Sequence, residues 1–470
     1  MTVIQQALFM VSGDLQPGPL TQVPKANLPG DTCLVHSTNA ADNFSEPDIL
    51  IPHPTISGRW GCYGGVHAFQ NDTTGSTNAQ NNPNPHWPAA AKSSDGGLNW
   101  TQIGTTVPNN YDTDGFNQGQ NAPGLYQGVG PWSWNEDTSN PLFAFGSGFY
   151  PGHNTIPAGM DPHTESGSDP TIITSTDLIT WNYKRVPHHF DSSVNSGGWI
   201  NQSCFPQYGN GVWVIVNKRT GATCRSTDNL NSFTGWENYT NASGGWPLNF
   251  SWAGAATMDN DGNYWMIAGL RGGQVNRSTD NASTWNGIIY PRGSTNGTSD
   301  TCGRLFYDPD LYGGAWVYLG GHVHNQWGHT DYPVICYSTD FGTSWTTLLQ
   351  GTNGSSIGLP SDIASWWDEW RYGFTYGDGM YFVWVCRDYG IVSASKPTPW
   401  ELYMSRGDLE SWTKIADSPW SDGTGTLYNF AQPYHMQYHK LDKRLLIVSK
   451  GGVDAGNQNG YAQVAYIDFQ

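Results

Sequence analysis

The hydrophobic positions of this chain come in short runs that follow tight turns, without the three-to-four spacing of helices. "YGNGVWVIV" at 208, "YGGAWVYL" at 312, "YGDGMYFVWV" at 376 and "KLDKRLLIV" at 440 each pass from Gly, Asn or Asp into a strongly apolar stretch rich in β-branched and aromatic residues. Such stretches read as strands entered from a hairpin turn. Similar units begin at 63 ("YGGVHAF"), 139 ("SNPLFAF") and 261 ("DGNYWMI"). No long amphipathic helix interrupts them, so the pattern predicts an all-β protein whose units each open with a first-to-second-strand hairpin.

A second phrase follows six of the seven units: "SSDGGLNW" at 93, "STDLITW" at 175, "STDNLNSF" at 226, "STDNASTW" at 278, "STDFGTSW" at 338 and "SRGDLESW" at 405. The intervals are 82, 51, 52, 60 and 67 residues, a period that suits one strand-rich blade each. The first copy, with Ser93, Asp95, Gly97 and Trp100, and the fifth, with Asp340, Gly342 and Trp345, carry every element of Ser-x-Asp-x-Gly-x-x-Trp. Asp177 and Trp181 are one residue closer together. Asp228 with Phe233 and Asp280 with Trp285 lack the glycine, and the last copy keeps Trp412 but has Gly407 where Asp belongs. Ser and Asp oxygens accept backbone N–H bonds in a tight turn, Gly takes positive φ, and the aromatic folds under the hairpin. These residues, and Arg225 and Arg277 just before their copies, therefore read as structural.

The phrase resembles the Asp-box, or BNR repeat, of sialidase-like β-propellers. The resemblance implies a single propeller domain over residues 1–470, with the phrase between the third and fourth strands of each blade. Seven four-stranded blades are expected, with six as the alternative. The unit at 440 has no box after it, so residues 3 to 12, "VIQQALFMVS", are expected to add the missing fourth strand beside "YAQVAYIDF" and close the ring. Residues 1–12 are then the closing strand, 13–55 an irregular extension and 56–470 the blades.

Composition narrows the function. A formal net charge of -18 and a sequence pI near 4.9 argue against binding duplex nucleic acid or anionic membranes. The opening residues "MTVIQQALFMVSGDLQ" lack a basic n-region and read as a strand, and no transmembrane run occurs. Seven widely spaced cysteines without a CxxC pair indicate neither a disulfide framework nor a zinc site.

Candidate chemistry lies in long polar insertions at 70 to 88, 149 to 170, 322 to 332 and 350 to 370, on the face opposite the boxes. In "HVHNQWGHTDY", His322, His324, His329 and Asp331 have the chemistry of zinc ligands but no helical registration, so they read as a polar platform around Trp327. Trp366 and Trp367 in "ASWWDEW" suit either sugar stacking or packing under the loop. No metal and no cofactor is expected. Arg59, Arg304 and Arg371 each open an expected innermost strand, and the resemblance implies three such arginines gripping a carboxylate. It also makes Glu237 the candidate activating glutamate, Tyr428 or Tyr434 the nucleophile and Asp72 the acid/base. The chain lacks the family's Phe-Arg-Ile-Pro phrase, reading Gly58-Arg59-Trp60-Gly61 instead.

Three functions are consistent with these features. One is a glycan-recognition or assembly propeller of a virus particle, a phage tail or fibre component contacting a host surface and other virion proteins. The second is a sialidase-like glycoside hydrolase, and the third a purely structural module.

Overall fold

In a computed structural model of the chain, the described residues are 15–29, 34, 43–68, 86–103, 132–135, 141–147, 171–179, 181–185, 204–217, 223–237, 255–258, 264–268, 275–285, 288–289, 291, 302–320, 334–350, 353–360, 374–386, 400–417, 433–449 and 464–470. They form an all-β protein folded as a single β-propeller. Helical turns among them are of the 3-10 type, at Lys25–Asn27, Leu311–Gly313 and Asn353–Ile357. No helix among the described residues is long and apolar enough to cross a membrane.

After a short strand β1 (Thr21–Gln22), the first sheet comprises β2 (Asn43–Pro52), β3 (Trp60–Ala68), β4 (His86–Ser93) and β5 (Thr101–Ile103). The second holds β6 (Ser133–Trp134), β7 (Phe143–Ser147), β8 (Thr171–Ser175) and β9 (Trp181–Arg185). The third holds β10 (Cys204–Gly209), β11 (Val212–Asn217), β12 (Thr223–Ser226) and β13 (Thr234–Glu237). Next come β14 (Ala255–Met258), β15 (Trp265–Ala268), β16 (Val275–Ser278) and β17 (Ile288–Ile289). The fifth has β18 (Cys302–Asp308), β19 (Ala315–Gly320), β20 (Val334–Ser338) and β21 (Thr346–Gln350). The sixth has β22 (Phe374–Gly377), β23 (Met380–Cys386), β24 (Trp400–Arg406) and β25 (Trp412–Asp417). In the seventh, β26 (Pro433–His439), β27 (Arg444–Ser449) and β28 (Val464–Asp468) are completed by β1. The described strands thus make seven four-stranded antiparallel sheets, with apolar cores between neighbours such as Phe382, Trp384, Met436 and Leu445.

One register recurs in six sheets. The aromatic that enters the second strand pairs with the serine at or one residue before the end of the third: Trp60 with Ser93, Phe143 with Ser175, Trp213 with Ser226, Trp265 with Ser278, Trp316 with Ser338 and Tyr381 with Ser405. Beyond that serine the chain turns on its side chain. Ser93 Oγ donates to Asp95 Oδ1 at 2.8 Å and accepts from Gly97 N at 2.9 Å. Asp95 Oδ1 accepts from Leu98 N and Asn99 N, and Trp100 Nε1 donates to the Gly97 carbonyl at 2.8 Å. Asp177, Asp228, Asp280 and Asp340 repeat the serine–aspartate bond. In the last copy Asp408 performs it, one residue later than the repeat predicts, and Trp412 Nε1 donates to the Leu409 carbonyl at 2.8 Å. The side chain of Trp181 lies outside the described residues, whereas Phe233 is half-buried.

The fourth residue of these turns has positive φ: 78° at Gly96, 56° at Asn281 and 55° at Phe341. Its carbonyl takes an arginine from the preceding sheet. Arg225 Nη1 donates to Asn281 O at 3.3 Å, Arg277 Nη1 to Phe341 O at 2.9 Å, and Arg444 Nη1 to Gly96 O at 2.8 Å. Arg225 and Arg277 therefore sew adjacent sheets together.

Four expectations are corrected. The strand that completes the seventh sheet is Thr21–Gln22, not residues 3 to 12, which lie outside the described residues: Thr21 pairs with Tyr466 and Gln22 with Ala465. Flanking bonds from Gln16 N to Gln470 O, Gly18 N to Asp468 O and Val23 N to Val464 O extend the contact through a segment interrupted by Pro17 and Pro19. Proline is tolerated there because an edge strand has one side without ladder bonds. Residues 13–55 are not an irregular extension, since they contain both β1 and the whole of β2. The glycines of "YGGVHAF" at 63 lie inside β3, where they face a bulge on β2 between Glu46 and Ile49, around Pro47. The true hairpin is the segment from His53 to Arg59, and the insertion placed at 70 to 88 gives up His86, Trp87 and Pro88 to β4.

Two outcomes follow. Removing residues 1–24 strips β1 from the β28 edge and leaves an unpaired ladder beside an apolar strand. The truncated protein is expected in the insoluble fraction on expression, and a soluble product melting like the full chain would contradict the closure. In the turns, the hydroxyl and amide of Ser232 and the hydroxyl of Ser226 hold the Asp228 carboxyl down at about 2. The folded pKa is depressed, so its contribution to stability is complete above the ordinary carboxylate value of 3.8 and is lost as pH falls through about 2. Carboxyl-resolved NMR titration of the native protein should show that midpoint.

Candidate functional site

Antiparallel order puts two kinds of connection at one end of the sheets: first-to-second-strand hairpins and the serine–aspartate turns. The opposite end receives the connections between second and third strands and between sheets. The innermost strands are β2, β6, β10, β14, β18, β22 and β26. On β26 the alternation of "PYHMQYH" splits the side chains: Met436 and Tyr438 join the apolar core, while His435, Gln437 and His439 form a buried polar row. His435 Nδ1 accepts from Leu50 N of β2 at 2.5 Å, and its Nε2 lies 3.2 Å from the Gln437 amide. Thr375 of β22 reaches that amide at 3.3 Å. On β6, Ser133 Oγ accepts from Gln207 Nε2 and Tyr208 N of the neighbouring β10. These groups tie adjacent innermost strands to one another.

At the hairpin end, titratable pairs bridge neighbouring sheets. The Tyr381 hydroxyl donates to Asp308 Oδ2 at 2.5 Å, and the Tyr438 hydroxyl to Asp378 Oδ2 at 2.9 Å. Burial, together with the carboxylate each one faces, pushes both phenols well above their ordinary range, so they stay protonated donors. Where the seventh sheet meets the first, Asp442 Oδ1 accepts from Ser57 Oγ at 2.6 Å and Gly58 N at 2.7 Å. Its Oδ2 accepts from Trp60 Nε1 at 3.1 Å and lies 2.6 Å from His439 Nδ1. Burial alone would raise the Asp442 carboxyl, but the bonds from Ser57, His439 and Gly58 hold it below the ordinary carboxylate range.

The sequence-derived candidates fall in different places. Arg59 lies in the hairpin before β3, a second strand, and so belongs to the serine–aspartate end, not to an innermost strand. Arg59 thus does not open an innermost strand as expected, because the extra strand β2 displaces it by one position in its sheet. Arg304 is on the innermost strand β18, Glu237 ends β13 and Tyr434 lies on innermost β26; the side chains of all three are outside the described residues. Asp72, His322, His324, Trp327, His329, Asp331, Trp366, Trp367, Arg371 and Tyr428 lie wholly outside them. The start of the 350 to 370 insertion is packing: Ile357 and Leu359 are buried beneath β21 and β25. Among the described residues no group of three or more His, Cys, Asp or Glu side chains is arranged to hold a metal.

The polar row and the Asp442 cluster were not singled out from sequence. The period-two spacing of His435, Gln437 and His439 carried the signal for the row. Nothing local marked Asp442, whose partners Ser57, Gly58 and Trp60 are distant in the chain.

No family model and no curated protein sequence matches the chain. Among solved structures, the GH74 xyloglucanase of Xanthomonas campestris is similar over 95% of this chain and 53% of its own, at 11% identity and a TM-score of 0.51. The GH74 enzyme of Niastella koreensis is similar over 90% of this chain and 54% of its own, at 14% identity and a TM-score of 0.49. A Trypanosoma rangeli sialidase in complex with the inhibitor DANA is similar over 88% and 53%, at 11% identity and a TM-score of 0.38. The chain thus spans about half the length of each of these proteins. The likeness to the xyloglucanase is one of fold, that of a β-propeller.

Tyr381→Phe tests whether the buried phenol–carboxylate pairs serve the fold. Asp308 would lose a donor in a buried setting, at a cost of about 1.5–3 kcal/mol. Urea denaturation should show that loss, and an unchanged midpoint would assign Tyr381 another role.

Proposed function

We propose that this chain is a glycan-recognition propeller of seven blades, built on the Asp-box frame of the sialidase-like superfamily, with its binding surface on the loops opposite the serine–aspartate turns. The observation that carries this reading is the division of labour between the two ends. At the turn end, Asp95, Arg277, Tyr381 and Tyr438 are committed to bonds within and between sheets. The other end receives the long polar connections from Ala68 to His86, Ser147 to Thr171, Gly320 to Val334 and Gln350 to Phe374. Polar and aromatic side chains on a rigid frame suit sugar hydroxyls and ring faces. Trp327, with His322, His324, His329 and Asp331, is the first stacking candidate, and Trp366 and Trp367 are the second. The setting on a virus particle, as a tail or fibre component, rests on composition: an acidic all-β chain poor in lysine and arginine.

A second reading is a glycoside hydrolase, supported by the fold shared with a xyloglucanase. It needs a pair of carboxylates, or a tyrosine and a glutamate, at working distance across a scissile bond. Glu237 and Tyr434 are its candidates on strands, and Tyr428 and Asp72 its candidates on connections.

The discriminating experiment is a glycan array carrying sialylated and xyloglucan-derived oligosaccharides, followed by mass spectrometry of every hit after incubation. Binding without cleavage is expected, with Trp327→Ala weakening it roughly tenfold at unchanged melting temperature, the scale of one aromatic contact. Cleavage would replace recognition with hydrolysis. Failure to bind any glycan would overturn both in favour of a structural module.

A further inference from the structure

The contact between the first and last sheets has a property that the other inter-sheet contacts described above lack. His439, only 2% exposed, faces two acceptors at once. Its Nδ1 lies 2.6 Å from the Asp442 carboxylate and its Nε2 lies 2.9 Å from the backbone carbonyl of His53. A neutral imidazole carries one proton and can satisfy only one of them; the other nitrogen would set a lone pair against an oxygen at hydrogen-bond distance. Only the imidazolium donates to both.

The surroundings support a positive charge on this ring. Asp442 is the adjacent anion, and its carboxyl is held below the ordinary range. The His439 and Trp60 rings meet in a T-shaped contact with centroids 5.3 Å apart. His53, from the facing hairpin, has its pKa lowered by burial and then by Arg59 and His439, and its Nδ1 accepts from Thr55 N. Arg444 is committed to Asp468 and to the Gly96 carbonyl. Lys440 and Lys443 on the same hairpin are exposed, and Asp95 of the neighbouring turn is bound to Ser93 and Asn99.

We propose that the seam between the first and last sheets is a proton-dependent latch, closed while the His439 imidazolium bridges the Asp442 carboxylate and the His53 carbonyl. The sign follows from proton count. Loss of a proton from the ring removes one of its two donors and leaves a lone pair facing an oxygen, so closure weakens as pH rises. On the acid side, the Asp442 contribution is complete above the ordinary carboxylate range and is lost as pH falls through its depressed value. The latch therefore loses a bond at either end, from the ring as pH rises and from Asp442 as pH falls. Opening at this point frees the hairpins that carry Ser57 and Asp442 from each other.

The test is hydrogen exchange of the full chain read by mass spectrometry at about pH 6 and about pH 8.5, corrected for intrinsic rates. Peptides spanning residues 50–60 and 438–444 should lose about tenfold in protection at the higher pH, the scale of one charge-assisted hydrogen bond. Peptides from β19 and β20 should not. In His439→Gln the seam should exchange faster at both pH values with no further change between them. Equal protection of the native seam at the two pH values, or the same fall in His439→Gln, overturns the latch. If the variant does not fold, nitrogen-15 NMR of the native histidines decides. The ring in contact with Trp60 should have both nitrogens protonated at about pH 6, and a single protonated nitrogen overturns the proposal.

Discussion

The serine hydroxyl that closes the third strand in six of the seven described sheets is the contact on which the rest of this architecture depends. It donates to an aspartate two residues on, or three in the last copy, and in the first five it accepts an amide three or four residues on. That closes a turn too tight for ordinary backbone angles, which explains the positive φ at Gly96, Asn281 and Phe341. The turned carbonyl is then presented outward, where an arginine of the preceding sheet takes it. A local hydrogen bond thus sets strand register within a sheet and supplies the acceptor for the contact between sheets.

The same economy explains why one end of the molecule offers little chemistry. Carboxylates and guanidinium groups there are numerous, but Asp95, Asp228, Asp280, Asp340, Asp442, Arg277 and Arg444 are held by partners, and pairs such as Tyr381 with Asp308 are buried. A buried polar group that is fully bonded is inexpensive to hold and costly to disturb. Function is consequently expected where the connections are long and the strands have ended. The seam between the seventh and first sheets stands apart, because its bond network at His439 requires a proton that the other contacts do not.

The apolar runs determined the all-β class, and the repeated phrase determined the unit of the fold and the role of its own residues, because each serine–aspartate turn is built from side chains within five positions of one another. Even its defects were readable in part: the displaced aspartate of the last copy, Asp408, is visible in "SRGDLESW" once the turn geometry is known. What required the tertiary structure were the pairings between distant segments. Residues 3 to 12 have stronger strand character than Thr21–Gln22, yet β28 pairs with the latter, through a register that places Pro17 opposite Phe469. Strand propensity describes how a segment fits a sheet, but the edge strand is chosen by the ladder available to it. Arg59 was assigned to an innermost strand because the glycines after it imitate a hairpin; β2 had to be seen before it could be moved to the other end. Asp442 gathers Ser57, Gly58, Trp60 and His439, groups separated by up to 385 positions, and no local pattern could announce a carboxylate whose donors meet only when the ring closes.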